Sequence, residues 1–358
     1  IDSIGGKPVD PDNPPAIAAL SRTPIAGTII SPDGSVHAGF NGTVTIDIFD
    51  AERTLTTKPT GDDPEINFQE LGERVYTGSA EVRDGHFTLN AAMPAELSQN
   101  WRPGAIGAFA YSAVANIEAA GLFRDFYLYG YDDEAEPDDK APQIDQMVLN
   151  HNTFRSGDTV NDSPMLIATV SDNVGINIST AGIGHQLTAT LDGTKTFTDL
   201  AFYYTPSADG SPSGVINYPF DNISEGLHTL SLRVWDTSGN SVRREIDFFV
   251  SPGLAPKIYD IYSDANPAST MANFYLSHDQ PDAMVTVEVT VYNLVGSPVW
   301  TGRASGRSDM FLSVPVSWDL TDGAGRRVNR GIYLYRATIT ADGQSYETAT
   351  RRIAVTAR

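Results

Sequence analysis

Six of the eight residues from Asp132 to Asp139 carry carboxylates: Asp132, Asp133, Glu134, Glu136, Asp138 and Asp139. Hard oxygen donors at that density suit calcium, and such clusters stiffen the junctions of tandem sandwich domains. The segment therefore reads first as a solvated acidic hinge, with a calcium site at an interdomain linker as the sharper alternative; no other cofactor is expected. Asp172-Asn173-Val174-Gly175-Ile176-Asn177 is a second, sparser set of oxygens and reads more simply as an Asx turn between strands. Beyond these, little in the chain spells out chemistry. With no cysteine, it has no disulfide, no thiolate metal site and no cysteine nucleophile. The six histidines, His37, His86, His151, His185, His228 and His278, lie far apart without metal-ligand spacing and read as isolated structural or surface groups. No G-x-S-x-G elbow, P-loop or H-E-x-x-H occurs. A carboxylate pair for glycoside hydrolysis would meet only in the fold, and 45 acids give no reason to single one out.

Charge narrows the partners. The 45 acids stand against 24 bases, a formal net charge of −21, so phosphate backbones and anionic membranes repel the chain. Nucleic acid is excluded as a partner on that ground. No apolar run approaches the roughly 20 residues of a membrane helix, so direct membrane insertion is not expected. The sequence opens at Ile1 without a secretion signal and is expected to be a piece of a longer secreted protein.

The elements that must position any site are strands. In Thr43–Ile48, Val44, Ile46 and Ile48 share one face. Thr229–Val234 alternates in the same way, and Val285, Val287, Val289 and Val291 alternate with polar neighbours. Between such runs sit Asp33-Gly34, Asn41-Gly42, Asp84-Gly85, Asp192-Gly193, Asp209-Gly210, Asp322-Gly323 and Asp342-Gly343, pairs suited to turns with positive φ. Two stretches, Ile66–Arg74 and Ala95–Asn100, predict single helical turns. The expected class is all-β, built from tandem immunoglobulin-like β-sandwich domains. Trp235, Trp300 and Trp318 fall in or beside strand-like runs, where inter-sheet packing is expected; an exposed aromatic strip would instead stack on sugars.

Two segments read as linkers. Tyr131–Pro142 is acidic, proline-punctuated and lacks large aliphatic residues, and Ser251-Pro252-Gly253-Leu254-Ala255-Pro256 is the second. They divide the 358 residues into a lead-in and sandwich at 1–140, an immunoglobulin-like sandwich at 141–253 and a terminal domain at 254–358. The net charges of the three are −14, −7 and zero, and nine of the ten bases in the last are arginine. Arginine is the cation best suited to ion pairs and stacking at interfaces.

Several blocks go beyond pattern. Ala26-Gly27-Thr28-Ile29-Ile30, Asp33-Gly34 and Phe40–Ile46 followed by Phe49-Asp50 resemble the first β domain after the peptidase in PorU-like sortases of the type IX secretion system, and Ile1–Val9 with Ala18–Ser21 resembles the exit from that peptidase. In the middle come Asp172–Asn177, Gly182-Ile183-Gly184-His185, Leu191-Asp192-Gly193, Glu225-Gly226-Leu227-His228 and Val234-Trp235-Asp236, in the order of that family's immunoglobulin-like domain. Asn266-Pro267, Val291–Gly296, Trp318-Asp319, Asp322-Gly323 and Arg330–Arg336 resemble type IX C-terminal domains with a FlgD-like fold.

The resemblance implies the non-catalytic C-terminal half of a gingipain-like cysteine peptidase on the surface of a Gram-negative bacterium of the Bacteroidota. In that family the peptidase removes cargo signals and joins cargo to an anionic lipopolysaccharide. That chemistry needs a cysteine, so no catalytic residue carries over to this chain. The resemblance also implies a partner, a PorV-like outer-membrane β-barrel met by residues 254–358, together with other components of the attachment complex. The end of the chain, Arg351–Arg358, departs from the lysine-rich ends common in cargo signals. Arg326, Arg327, Arg330 and Arg336 flank Gly331, and Tyr333 and Tyr335 share one face by alternation. These are the expected docking residues, because arginine and tyrosine dominate interface hot spots. The alternatives are carbohydrate-binding or adhesive sandwich modules of another surface protein and, last, a β-sandwich hydrolase.

Overall fold

The computed structural model describes residues 1–358 except 59–60, 62–63, 100, 182–183, 252–257, 281–282, 310, 342–343 and 357–358. The molecule is all-β, a series of β-sandwiches. Among the described residues the one helical element is a 3-10 turn at Leu200–Tyr203, and no helix is long and apolar enough to cross a membrane.

Two four-stranded sheets form the first sandwich. One runs Lys7–Pro8, Ser3–Ile4, Arg22–Thr28, His86–Ala92; the other runs Ile117–Phe123, Ala105–Ser112, Gly42–Phe49, Arg74–Val82. Alternation sends Val44, Ile46 and Ile48 inward, all at 0% exposure, into a core shared with Ile25, Leu89, Ile106 and Phe126. The middle segment builds a four-stranded sheet in the order Gln143–Leu149, Met165–Ser171, Ser213–Pro219, Tyr204–Pro206. Its five-stranded sheet runs Thr159–Val160, Ser241–Val250, Gly226–Trp235, Thr188–Leu191, Lys195–Phe197. Leu230, Leu232 and Val234 are buried as their spacing predicts. In the terminal segment Ile258–Ser263, Ala272–His278 and Val316–Trp318 make one sheet. Pro298–Arg307, Met284–Tyr292, Gly331–Ala341 and Gln344–Glu347 make the other, with Arg351–Val355 also paired to Gly331–Ala341. Trp318 lies at the centre of that core, its indole N–H donating to the Thr321 carbonyl at 2.8 Å, and Trp300 packs against it.

By compactness the residues group into two units. One holds Ile1–Met147, Ile167–Tyr218 and Thr229–Ile246, and the other holds Val148–Leu166, Pro219–His228 and Asp247–Arg358.

Some local expectations fail for physical reasons. Ile66–Arg74 is not helical: Asn67–Glu70 pairs with Arg53–Thr56 as a short hairpin. Its cross-strand side chains do the pairing, Arg53 with Glu70 at 2.9 Å and Thr56 with Asn67 at 2.6 Å. Ala95–Ser98 is irregular, and Asn100 lies outside the described residues. Asp192-Gly193 is the hairpin turn its sequence predicts, with φ of 51° and 67°. Asn41-Gly42 is not a turn. Gly42 opens a strand, and glycine is needed there because a Cβ would sit 2.1 Å from the Tyr111 carbonyl oxygen. In the Asp322 turn the positive φ falls on Gly325 and not on Gly323. Asp342-Gly343, Gly182-Ile183, most of the Ser251–Pro256 linker and the last two residues lie outside the described residues.

Candidate functional site

Aspartates delivered by three segments of the first compact unit meet at one place. Asp172 directly follows the strand Met165–Ser171, Asp236 directly follows Gly226–Trp235, and Asp138 lies in the strandless acidic segment before Gln143–Leu149. One carboxylate oxygen from each lies within 4.8 Å of the others. Each is fixed by turn chemistry. Asp172 Oδ2 accepts the backbone N–H groups of Val174 at 2.6 Å and Gly175 at 2.9 Å, the Asx turn expected there. Asp236 Oδ1 accepts from the N–H groups of Ser238 and Asn240, and its Oδ2 accepts from Asn240 Nδ2 at 2.8 Å. The Asp138 carboxylate accepts from Asn173 Nδ2 at 3.1 Å, and its carbonyl accepts from Asn240 Nδ2 at 3.0 Å. The loops are tied together by Thr237 N–H donating to the Gly175 carbonyl at 3.0 Å and by the Arg22 guanidinium donating to the carbonyls of Asn173 and Val174.

These bonds leave something over. Asp138 Oδ2 and Asp172 Oδ1 are buried and, among the described residues, accept no hydrogen bond. A buried carboxylate oxygen without a partner is costly. Burial pushes the Asp172 carboxyl above its ordinary range, and the charges of Asp236 and Asp138 push it the same way. Three hard oxygen donors, on residues two of which also carry an orphaned oxygen, fit calcium or magnesium and not a soft metal. They do not fit glycoside hydrolysis, because that chemistry needs its carboxyls open to a sugar.

Of the six predicted carboxylates only Asp138 joins this group. Asp132 accepts the Glu134 N–H at 3.1 Å in a local turn, and Asp133, Glu134, Glu136 and Asp139 are exposed. Asp172 comes from the second predicted set. Asp236 falls outside both predicted sets and stands in the sequence only in the Val234-Trp235-Asp236 block. The signal that could have found it is that Asp172 also directly follows a strand.

The expected docking residues divide by burial. Arg326, Arg327, Arg330 and Gly331 are exposed on the turn entering the strand Gly331–Ala341. Arg326 pairs with Asp322 at 2.9 Å, and Arg327 donates to the Ser269 carbonyl at 2.5 Å. Arg336 pairs with Glu347 at 3.2 Å and lies over the Tyr292 ring. Tyr333 and Tyr335 do share a face, but it is the inward one. Tyr335 is 3% exposed in the core, and half-buried Tyr333 donates its hydroxyl to the Asn329 carbonyl.

Exposed aromatics occur elsewhere. Trp101, 64% exposed, stacks on Tyr129 with ring centroids 4.0 Å apart and meets Tyr127 edge-on at 5.6 Å.

A buried histidine–serine contact in the terminal segment carries no nucleophile. His278, fully buried, accepts the Gln280 N–H on Nδ1 at 3.2 Å. Its proton therefore sits on Nε2 and is donated to Ser308 Oγ at 2.8 Å, so the ring cannot take the serine's proton. Burial pushes this imidazole down to about 4.

No protein-family profile and no curated protein sequence matches the chain. Among solved structures the chain is similar to dimeric latent PorU from Porphyromonas gingivalis, at 30% identity over 100% of this chain and 33% of that one, with a TM-score of 0.43. The chain thus spans about a third of PorU's length. It also matches SGBP-B of the mixed-linkage glucan utilization locus of Bacteroides ovatus, solved with a mixed-linkage heptasaccharide. That match has 14% identity, covers 96% of this chain and 66% of that one, and has a TM-score of 0.28. A calcium-stabilised ice-binding adhesin of an Antarctic bacterium matches at 13% identity, over 96% and 72% of the two chains, with a TM-score of 0.19.

His278 gives a pH signature. Above its unfolded value near 6.5 the ring is neutral in both states; as pH falls toward 4 only the unfolded chain takes the proton, so stability drops. The expected loss from this group is about 3 kcal/mol between pH 7 and pH 4. Urea midpoints of native and His278→Gln chains should show the variant losing less over that range; equal losses would refute the assignment.

Proposed function

We propose that this chain is the non-catalytic spacer and anchoring region of a PorU-like type IX secretion sortase, held at the outer surface of a Gram-negative cell. Its terminal segment docks the parent peptidase onto an outer-membrane β-barrel, where cargo signals are cleaved and cargo is joined to lipopolysaccharide. The observation that carries the reading is electrostatic. A chain of net −21 has no attraction for an anionic surface, yet residues 254–358 carry no net charge and expose Arg326, Arg327 and Arg330 on one turn. Those guanidiniums are the groups offered to the barrel, while Tyr335 holds the strand behind them in the core. The Arg326–Asp322 pair is exposed, so exchanging it for a partner carboxylate costs little. Deleting 254–358 should release the protein from the outer-membrane fraction, and changing Arg326, Arg327 and Arg330 together to glutamate should weaken retention at least about tenfold. Unchanged fractionation of both variants would end the reading.

The spacer in this reading is stiffened by calcium at Asp138, Asp172 and Asp236. The ion would coordinate the two orphaned oxygens and offset the repulsion among the carboxylates, tying the acidic segment to the strand ends beside it. Calcium at a hundredfold over its Kd is expected to stabilise the chain by about 2.7 kcal/mol. Asp172→Asn should abolish that gain while leaving the calcium-free chain no less stable. Identical melting in calcium and in chelator would remove the ion from the proposal.

A second reading, a saccharide-binding module, is favoured by the exposed Trp101 stacked on Tyr129, a surface suited to a sugar ring. It expects binding in a glycan screen that Trp101→Ala eliminates. A blank screen leaves the anchoring reading alone.

A further inference from the structure

The strand Ile117–Phe123 is the edge of its sheet and pairs, among the described residues, only with Ala105–Ser112. Its register is unbroken over seven residues, from Ile117 opposite Ser112 to Phe123 opposite Ile106. A free edge presents a row of unpaired N–H and C=O groups, and proteins blunt such rows with charge, proline, bulges or brevity. Several other edges here are blunted. Lys195–Phe197 has three residues and a lysine, Lys7–Pro8 ends in proline, and Pro298–Arg307 carries Arg303 and Arg307. Along Gln143–Leu149 the Ile144 carbonyl is taken by Arg244 at 3.0 Å. In Ile-Glu-Ala-Ala-Gly-Leu-Phe the single charge is Glu118, with neither proline nor bulge.

A receptor for side chains lies beside the edge. Ala108, Ala119 and Gly121 are small, and between them and Ile29, Ile106 and Phe123 opens an apolar hollow of about 270 Å3. On the opposite face Leu122 is 60% exposed and Phe109 49%, with Glu118 opposite Tyr111. An added strand would thus find backbone partners along its length, an apolar slot for alternate side chains, and Glu118 on the other face. The surrounding domain has net charge −14, which opposes an acidic strand and a second copy of this chain, and favours a basic one.

From this edge, hollow and charge we infer that Ile117–Phe123 is a docking site for an extended peptide segment of another protein, one that alternates aliphatic with lysine or arginine side chains and adds to the sheet as a fifth strand. The inference is independent of the anchoring reading, since it involves neither the arginine turn nor residues 254–358.

Fluorescence anisotropy on the full 358-residue chain tests it. The probe is a labelled peptide of alternating valine and lysine, as long as the strand, and the comparison peptide replaces lysine by glutamate. The lysine peptide should bind saturably, and the glutamate peptide at least about tenfold more weakly. Gly121→Lys meets no atom within 4 Å at its Cβ, so it is sterically tolerated while setting a charge at the mouth of the hollow. It should weaken the lysine peptide at least about tenfold. Val114→Lys, at a position 98% exposed in the adjoining turn, adds the same charge and should leave binding within about twofold. Equal binding of both peptides, no binding, or indifference to Gly121→Lys would overturn the inference. Sedimentation as a dimer that Gly121→Lys dissolves, without peptide binding, would assign the edge to a second copy instead.

Discussion

With no covalent cross-link available, each sandwich in this chain is held by what its strands bury between two sheets. That constraint sets the rest. It demands strict alternation along the long strands, seen in Val44, Ile46 and Ile48 and again in Val285, Val287, Val289 and Val291, all at or below 2% exposure. It also forces chemistry outward, because a strand whose one face fills the core keeps polar groups only at its ends, its outer face and its edges. The aspartate group lies at or near strand ends, the arginine turn at a strand's start, and the peptide-accepting row along an edge.

What was legible in the sequence follows from how local the determining forces are. Alternation and turn chemistry act between neighbours, so the all-β class, the long strands and the Asp192-Gly193 hairpin could be read directly. The Asn67–Glu70 strand could not, since its partner Arg53–Thr56 lies more than ten residues upstream and its stabilisation is cross-strand. Asn41-Gly42 carries a turn signal locally, while the reason for glycine at 42 is the Tyr111–Ser112 backbone passing close by from a strand distant in sequence.

The same distinction explains the candidate sites. A dense run of carboxylates draws attention to 132–139, yet density in sequence opposes convergence in space, because adjacent like charges in an extended loop separate into water. The group that forms takes one residue from that run, Asp138, and two that are isolated in sequence. The terminal domain shows a related limit. Alternation correctly placed Tyr333 and Tyr335 on one face, but only the sheet pairing of Gly331–Ala341 with Met284–Tyr292 determines that this face is the core.

The aspartate group shows how far turn chemistry alone can carry a cluster of like charges. Two backbone N–H groups hold Asp172 Oδ2, two more hold Asp236 Oδ1, and asparagine side-chain amides hold Asp236 Oδ2 and Asp138 Oδ1, so four of the six carboxylate oxygens are satisfied by donors fixed in the loops. The two bonds to Asp172 favour its ionised form and work against the proton affinity that burial raises. The loop donors do not reach Asp138 Oδ2 or Asp172 Oδ1, which are buried and, among the described residues, have no donor. A loop evolved only to end strands would present its spare oxygens to solvent, as Asp33 does with Ser35 and Asp209 with Ser211 on exposed turns. Burying them beside two further carboxylates costs stability, and this grouping in space, more than the count of acids in the sequence, sets the three aspartates apart from the exposed turns.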